Sequence, residues 1–192
     1  MIKRLYDWTL SLANSPYALW ALAFVAFIES SVFPIPPDLL MIPMIIAAPR
    51  RAFLIAAVAT VSSVLGGMLG YAIGMFAMDT IGAPVLDALG KTDAVAEFST
   101  RFNGVGFWAV LIAGLTPFPY KVITIMSGAT AMPLGTFLIT SILARSLRFF
   151  IIAALLWKFG APIRDFIERR LGLVFVAFCV LLVGGFLLVR YL

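Results

Sequence analysis

Five ionisable side chains lie inside stretches of the chain that are otherwise apolar, and their types suit them to chemistry. They are two acids and three bases: Glu29, Asp38, Lys121, Arg145 and Arg148. A charged side chain at the centre of a bilayer costs about 2.5–3.5 kcal/mol on insertion scales, so such residues are expected to pair or to serve a function. Carboxylates can bind and release protons, whereas lysine and arginine can bind a phosphate group.

The composition of the chain indicates that these side chains lie in a membrane. Hydrophobic residues make up 63% of the 192 residues and charged residues only 12%, and the mean hydropathy is +1.10. A soluble domain contains about 25% charged residues. We therefore predict a single membrane domain over residues 1–192. Its N-terminus is basic but has no clear small-residue cleavage site, so we interpret it as retained and not as a signal peptide.

The absence of histidine excludes several classes of site. It removes Ser-His-Asp catalysis and zinc sites built on histidine. Cys179 is the single cysteine, which leaves no disulfide framework. We therefore predict no enzymatic activity, no metal and no cofactor. The net charge of +5 needs no nucleic-acid partner, because lysine and arginine beside membrane segments follow from the orientation rule and from anionic lipid headgroups.

Proline clusters interrupt two of the apolar stretches close to the charged residues. The first cluster is Pro34, Pro36 and Pro37, and the second is Pro117 and Pro119. A proline inside a helix removes a backbone donor and clashes with the preceding turn. The apolar arm after the first cluster, 39–48, is too short to cross a bilayer, which needs about 20 residues, and the arms around the second cluster, 105–116 and 122–131, are also short. We therefore predict two re-entrant helical hairpins, 17–48 and 105–131, with these prolines at their turns.

The order of the predicted elements repeats along the chain. A full-length transmembrane helix follows each hairpin, at 52–78 and at 134–157. Paired proline-interrupted segments in corresponding positions of two halves are typical of a transporter site between inverted repeats. The remaining predicted segments are an interfacial helix at 1–15, a polar amphipathic segment at 79–103 and a C-terminal transmembrane helix at 171–189. The fold class is thus an all-α integral membrane protein with an inverted repeat.

The predicted helix 52–78 carries a repeat of small residues. Gly66, Gly70 and Gly74 are spaced four apart. This spacing lets the backbone of another helix approach closely. The contact could lie inside the molecule or between two copies, so a homo-oligomer is left open.

Basic residues in the predicted loops indicate an orientation. If both hairpins are re-entrant, most of them lie on the same side as the N-terminus, including Arg50, Arg51 and Lys158. The positive-inside rule then places the N-terminus in the cytoplasm.

Two interpretations of the charged residues remain open. Arg145 and Arg148 are three residues apart and share one helix face, so the acids of the first hairpin are expected to meet the bases of the second half. The ion pairs could simply hold the two halves together. Alternatively, the three bases Lys121, Arg145 and Arg148 bind a phosphate headgroup, and Glu29 and Asp38 take up and release protons. The excess of one base over the acids favours this second interpretation.

The segment Glu29…Pro34-Ile-Pro36-Pro-Asp38 resembles the Glu-x4-Pro-x-Pro-x-[Asp/Glu] motif of the DedA family, the bacterial branch of the VTT-domain (SNARE-associated Golgi protein) proteins. The segment Thr116-Pro117-Phe-Pro-Tyr-Lys121, followed by Ser127-Gly128, resembles the second hairpin of that family. The family's first arginine there falls near Gly114 and its second is represented by Lys121, a variation similar to the YqaA-like subgroup. We expect Arg145 and Arg148 to supply the missing positive charge.

The resemblance, over about residues 17–160, implies a lipid carrier of the bacterial cytoplasmic (inner) membrane. Such a protein would act as a flippase or scramblase for undecaprenyl phosphate or a phospholipid, with dependence on the proton gradient. Its partners would be lipids with anionic phosphate headgroups, and protons. The alternative is a non-transporting scaffold or assembly protein whose buried ion pairs are structural.

Overall fold

The computed structural model describes residues 17–32, 36–116, 119–160 and 162, which contain helices and no β-strand. The α-helices of these ranges are α1 (Ala18–Glu29), α2 (Asp38–Ala47), α3 (Ala52–Ala77), α4 (Ala83–Ala88), α5 (Thr92–Leu115), α6 (Tyr120–Ala129) and α7 (Leu134–Gly160). A 3-10 turn, Pro49–Arg51, precedes α3, and a π-helical turn, Met78–Gly82, joins α3 to α4. The predicted segments 1–15 and 171–189, together with Pro34, Pro117 and Cys179, lie outside the described residues.

Two of these helices, α3 and α7, are long and apolar enough to cross a bilayer. They occupy the positions of the predicted helices 52–78 and 134–157. α3 has 26 residues and is therefore about 39 Å long. By contrast, α1, α2 and α6 have 12, 10 and 10 residues, so each is about 15–18 Å long, roughly half of a bilayer's hydrocarbon core.

The long helices α3 and α7 run antiparallel to each other. Phe53, near the start of α3, lies 6.3 Å from Phe150 and 5.9 Å from Trp157 between ring centroids, both in the second half of α7. Tyr71, near the end of α3, lies 5.2 Å from Phe137 near the start of α7. Because opposite ends meet, each end of this helix pair can carry a separate group of shorter helices.

Two apolar cores form along the helix pair, one toward each end. The first joins α1 and α2 to the start of α3 and the end of α7; its buried residues are Ala18, Leu22, Leu40, Met41, Met44, Ile45, Ala52, Ile55, Ala56, Ala59, Phe149, Ala153 and Leu156. The second joins α5 and α6 to the end of α3 and the start of α7; its buried residues are Tyr71, Val110, Ala113, Tyr120, Ile123, Met132 and Phe137. The middle of the helix pair lies between the two cores.

Close helix contacts depend on the glycines of α3, as their spacing predicts. A Cβ atom at Gly66 would collide with the backbone of Phe27, near the end of α1. A Cβ atom at Gly74 would collide with the backbone of Ile125 in α6. The predicted packing function of the glycine repeat is therefore confirmed inside the molecule, where it brings α1 and α6 against one helix.

The polar stretch after α3 differs from its prediction. Where the sequence predicts a polar segment at 79–103 and a separate arm from 105, α5 continues through residue 104. No proline interrupts α5, and Glu97 and Arg101 are one turn apart and bonded at 2.6 Å (Oε1 to Nη2). The chain instead breaks before α5, at Gly90, whose φ of +62° suits glycine.

Candidate functional site

The charged residues of the apolar stretches lie at helix ends and at the middle of α7. Glu29 is the last residue of α1, and Asp38 is the first residue of α2. Lys121 lies in the first turn of α6, whereas Arg145 and Arg148 lie near the midpoint of the 27-residue helix α7. The short helices therefore bring their charged ends to the middle of α7.

The prolines explain why short helices begin at these points. Pro37 stands directly before α2, with Pro36 beside it, and Pro119 stands directly before α6. Proline has a fixed φ near −65° and no N–H, so it suits the start of a helix and interrupts a helix that would continue through it. The two breaks place Asp38 and Lys121 in the first turns of their helices.

Glu29 and Arg145 form the more deeply buried ion pair. Arg145 Nη2 donates to Glu29 Oε2 at 2.9 Å, and Arg145 Nε donates to Ser63 Oγ at 2.6 Å. Ser63 lies near the middle of α3 and is hydrogen-bonded to Ser30 Oγ at 2.6 Å. Ser30 Oγ also lies 3.1 Å from Glu29 Oε2, to which it donates. These bonds join α1, α3 and α7 around an arginine side chain that is 2% exposed.

The guanidinium group of Arg145 also contacts two aromatic rings. Its Cζ lies 4.7 Å from the ring centroid of Tyr120 and 4.7 Å from that of Phe149. The attraction between a cation and an aromatic face reaches about 2 kcal/mol where water is excluded. The hydroxyl of Tyr120 in turn donates to Ser141 Oγ at 2.6 Å, which fixes the ring against α7. Arg145 is therefore held by a carboxylate, a hydroxyl group and two rings.

Asp38 and Arg148 form a second ion pair, which is more accessible and has fewer partners. Arg148 Nη2 donates to Asp38 Oδ2 at 2.5 Å, and Arg148 Nη1 donates to the carbonyl oxygen of Thr116 at 2.6 Å. The side chains of Arg148 and Asp38 are 15% and 16% exposed. Asp38 Oδ1 and Arg148 Nε are buried without a hydrogen-bond partner among the described residues. One acceptor and one donor of this pair thus remain to be satisfied.

Lys121 is the third base, and within the described ranges it forms no ion pair. Its Nζ donates to the carbonyl oxygen of Val32 at 3.3 Å. One turn further along α6, Thr124 Oγ1 donates to the carbonyl oxygen of Ser30 at 3.0 Å. The structure thus brings all five predicted residues to the middle of the molecule, pairs each acid with one arginine, and leaves the lysine on a backbone carbonyl.

Several polar groups at this position were not among the predicted site residues. Ser63 accepts from Arg145, Ser30 bonds Ser63, and the carbonyl of Thr116 accepts from Arg148. Each had a weak signal in the sequence, because Ser63 interrupts an apolar helix, Ser30 follows Glu29 and Thr116 precedes a proline. Serine and threonine are also common in membrane helices for packing alone, so these signals do not identify a partner. We call the whole set the polar layer: Glu29, Ser30, Asp38, Ser63, Thr116, Lys121, Arg145 and Arg148.

Gly114 lies near the place where the second-hairpin motif of the DedA family has its first arginine. Its surroundings explain why this chain has no basic residue there. Gly114 is buried in α5, where a Cβ atom would collide with the side chain of Ala144 in α7. A long basic side chain would not fit there without moving α5 away from α7. The arginines that pair with the acids come instead from α7, at Arg145 and Arg148.

The bases of the polar layer have the chemistry to bind either a carboxylate or a phosphate. A guanidinium group offers several N–H donors in a plane, which match the oxygens of a carboxylate or a phosphate equally well. Arg148 is partly exposed but its unpaired Nε is buried, so an external anion could reach that donor only by replacing the carboxylate partner.

Comparison with known proteins places the chain in a family. A family model of the VTT domain matches residues 16–158. An uncharacterised protein of Haemophilus influenzae is 38% identical over 168 residues, which cover 85% of this chain and 87% of the relative. An uncharacterised protein of Histophilus somni has the same identity and coverage. No solved structure is significantly similar to the chain. These matches confirm the motif resemblance, and the chain belongs to the VTT-domain family of membrane proteins, with the DedA proteins.

Proposed function

We propose that this protein transports a phosphate-bearing lipid, undecaprenyl phosphate or a phospholipid, between the leaflets of the bacterial inner membrane. The observation that carries the proposal is the polar layer at the middle of two membrane-length helices, where Arg148 keeps a free donor and Lys121 lacks a carboxylate partner among the described residues. A cation inside a membrane is expected to pair with an acid or to serve a function. A base that lacks some of its hydrogen-bonding or ionic partners would gain them from an anion that passes through the site.

The proposed topology consists of two opposed re-entrant hairpins whose turns meet near the bilayer midplane. The first is α1 with α2, and the second is the end of α5 with α6. Its support is that α1, α2 and α6 have about half of a membrane's length, and that Thr124 of one hairpin bonds Ser30 of the other. The N-terminus would lie in the cytoplasm, so that Arg50 and Arg51 follow the positive-inside rule.

In the proposed cycle, the phosphate enters the polar layer from the side and binds the bases, while the lipid tail remains in the bilayer. Protonation of an acid weakens its hold on its arginine and makes that base available to the phosphate. Loss of the proton restores the ion pair and releases the lipid into the other leaflet. The proton gradient would thereby give the exchange a direction, because the acids would be protonated from one side and deprotonated toward the other.

A test uses purified protein in liposomes that contain a fluorescent phospholipid or farnesyl phosphate with a fluorescent tail. Quenching of the outer leaflet measures the fraction of lipid that crosses, with and without a pH gradient. We expect Asp38→Asn and Arg148→Gln to lower the rate at least tenfold, because each removes half of an ion pair. Glu97→Gln is the matched control, since Glu97 forms an exposed ion pair in α5. Equal rates for the wild type and Arg148→Gln would contradict the proposal.

A scaffold function is the second candidate, and the Glu29–Arg145 network favours it. In that pair, the buried Arg145 of α7 bonds Glu29 of α1 and Ser63 of α3, so it holds the two halves of the chain together as a clasp. If all the charges are structural, the double variant with Asp38→Arg and Arg148→Glu should be as stable as the wild type. It should also restore normal growth to a strain in which the gene is deleted. A headgroup site would regain stability in this double variant but not transport, because the cation at position 148 would be lost.

A further inference from the structure

We infer that the two ion pairs have different tasks: Glu29–Arg145 stays closed as a clasp, whereas Asp38–Arg148 opens, with Asp38 acting as a built-in competitor for the phosphate that binds Arg148. The identity of the ligand rests on the proposed function. The division between the pairs rests on the structure alone.

The surroundings of Arg145 leave it no room to bind a ligand. Its side chain is 2% exposed, and its guanidinium group contacts Glu29, Ser63 and the rings of Tyr120 and Phe149. A phosphate could reach this group only after helices α1 and α7 had separated. Removal of one partner from such a buried pair leaves an uncompensated charge, which is far more costly than loss of an exposed pair. The pair therefore favours a fixed contact between the two halves.

The surroundings of Arg148 differ in each of these respects. Arg148 is 15% exposed and Asp38 is 16% exposed. Arg148 Nε and Asp38 Oδ1 have no hydrogen-bond partner among the described residues. An incompletely satisfied pair in a low-dielectric setting is less stable than a complete one. The unused Nε donor is buried while Asp38 is in place. A phosphate that displaces Asp38 has more oxygen acceptors than a carboxylate, so it can bond this donor as well.

The chain position of the partners also separates the two pairs. Arg148 bonds Asp38 at the start of α2 and the carbonyl of Thr116 directly after α5. Both partners adjoin the proline breaks, and Lys121 follows the second break by two residues. Arg145 bonds Glu29 at the end of α1, but it also bonds Ser63 inside α3, which is continuous. Exchange at Arg148 thus needs movement only at helix ends, whereas exchange at Arg145 would also break a contact with a continuous helix.

The test compares two matched variants, Glu29→Gln and Asp38→Asn, each of which neutralises one acid without changing its shape. Thermal unfolding of the purified protein in dodecyl maltoside measures the structural task. Binding of dodecyl phosphate, followed by the same unfolding assay at increasing ligand, measures the competition. Inorganic phosphate is added in a parallel series to distinguish a lipid headgroup from a free anion.

We expect Glu29→Gln to lower the Tm by about 10 °C, as for the loss of one partner of a buried pair, and not to tighten dodecyl phosphate binding. We expect Asp38→Asn to lower the Tm less than half as far and to tighten that binding about tenfold, because the competing carboxylate charge is gone. Adding Arg148→Gln to Asp38→Asn should abolish this gain in affinity for dodecyl phosphate. If inorganic phosphate reproduces the gain, the site takes a free anion and the lipid part of the inference is wrong.

The outcomes also separate this inference from the proposed function. Equal Tm losses, or equal tightening by the two variants, would overturn the division of tasks even if lipid transport is found in liposomes. Failure of both variants to fold would overturn it as well, whereas failure of Glu29→Gln alone would support it. If the wild type moves no lipid but Asp38→Asn shows the expected gain, the competition stands and the transport proposal fails.

Discussion

At the scale of single residues, Ser63 is what allows a guanidinium group to lie in the middle of an apolar helix pair. Its hydroxyl accepts from Arg145 Nε and is bonded to Ser30. Because Arg145 provides the proton of the first bond, the hydroxyl hydrogen of Ser63 is left for Ser30. Ser63 therefore links Arg145 to Ser30, directly after α1, through two hydrogen bonds. Its contribution to stability depends on the hydroxyl oxygen and not on the volume of the side chain.

We predict that Ser63→Ala destabilises the protein by about 1–3 kcal/mol, because it leaves the buried Nε of Arg145 without an acceptor. Ser62→Ala is the matched control, since Ser62 is the preceding residue, is half-buried and lies on another face of α3. Denaturant or thermal unfolding in detergent would measure both. A loss of stability in Ser62→Ala as large as that in Ser63→Ala would show that any serine in α3 has this effect.

The sequence predicted which residues form the charged site, but not which acid meets which arginine. Arg145 and Arg148 are one turn apart on the same face, so either could face Glu29 on spacing alone. The choice depends on how far α1 extends along α3, and this is set by the contact between Gly66 and the backbone of Phe27. Such a contact joins residues far apart in the chain, and no local pattern shows its register.

At the scale of elements, the close contacts of α3 with α1 and α6 determine where the charged helix ends lie. Gly66 and Gly74 meet backbone atoms of Phe27 and Ile125, so neither neighbour can move aside as a flexible side chain would. The two short helices thus lie at fixed depths along α3. A side chain at either glycine would displace a whole helix and shift a part of the polar layer with it.

We expect Gly66→Ala to prevent stable folding or to lower the Tm by more than about 5 °C, because the methyl group collides with the backbone of α1. Gly135→Ala is the control: no atom lies within 4 Å of an added Cβ there, so it should leave the Tm unchanged or raise it slightly. Size-exclusion profiles and thermal unfolding in detergent check both variants. Normal stability of Gly66→Ala would mean that α1 is held elsewhere.

Proline positions predicted the breaks before α2 and α6, since proline acts locally on the backbone. The continuity of α5 from Thr92 to Leu115 was not predicted. The change from polar to apolar residues near position 104 does not require the helix to stop. Polarity and helix formation are governed by different interactions, so a shift in hydropathy alone cannot locate a helix end.

At the scale of the whole molecule, the antiparallel helices α3 and α7 place like charges at the same end. Arg50 and Arg51 precede α3, and Lys158 lies beside Trp157, which contacts the start of α3. The stretch that follows α3 toward the opposite end contains the basic residues Lys91 and Arg101. The positive-inside rule compares only the basic residues of the two ends, and Arg50, Arg51 and Lys158 give the first end the larger number.

The orientation leads to a labelling prediction in a Cys179→Ser background. A cysteine at Thr92 should react with a membrane-impermeant maleimide in intact spheroplasts, whereas a cysteine at Pro49 should react only after permeabilisation. Both positions are exposed, and both substitutions leave the neighbouring basic residues unchanged. The reverse labelling pattern would show that the proposed topology is inverted or that the first hairpin crosses the membrane completely, and labelling of both positions from outside would show that α3 does not cross it.

The division of charge between the halves has a consequence for how the protein is made. Both acids lie in the first half of the chain and both of their arginines in the second, with 110 residues separating Asp38 from Arg148. At about 5–20 residues per second, a ribosome needs roughly 5–20 s to cover that distance. During that time the acids of the nascent first half lack Arg145 and Arg148, with which they pair in the folded protein, and an aborted chain never acquires them. In the proposed topology, carboxylates without an ionic partner at bilayer depth would therefore distinguish an incomplete chain from a complete one. Synthesis of α7 would end this difference, because α7 supplies both arginines.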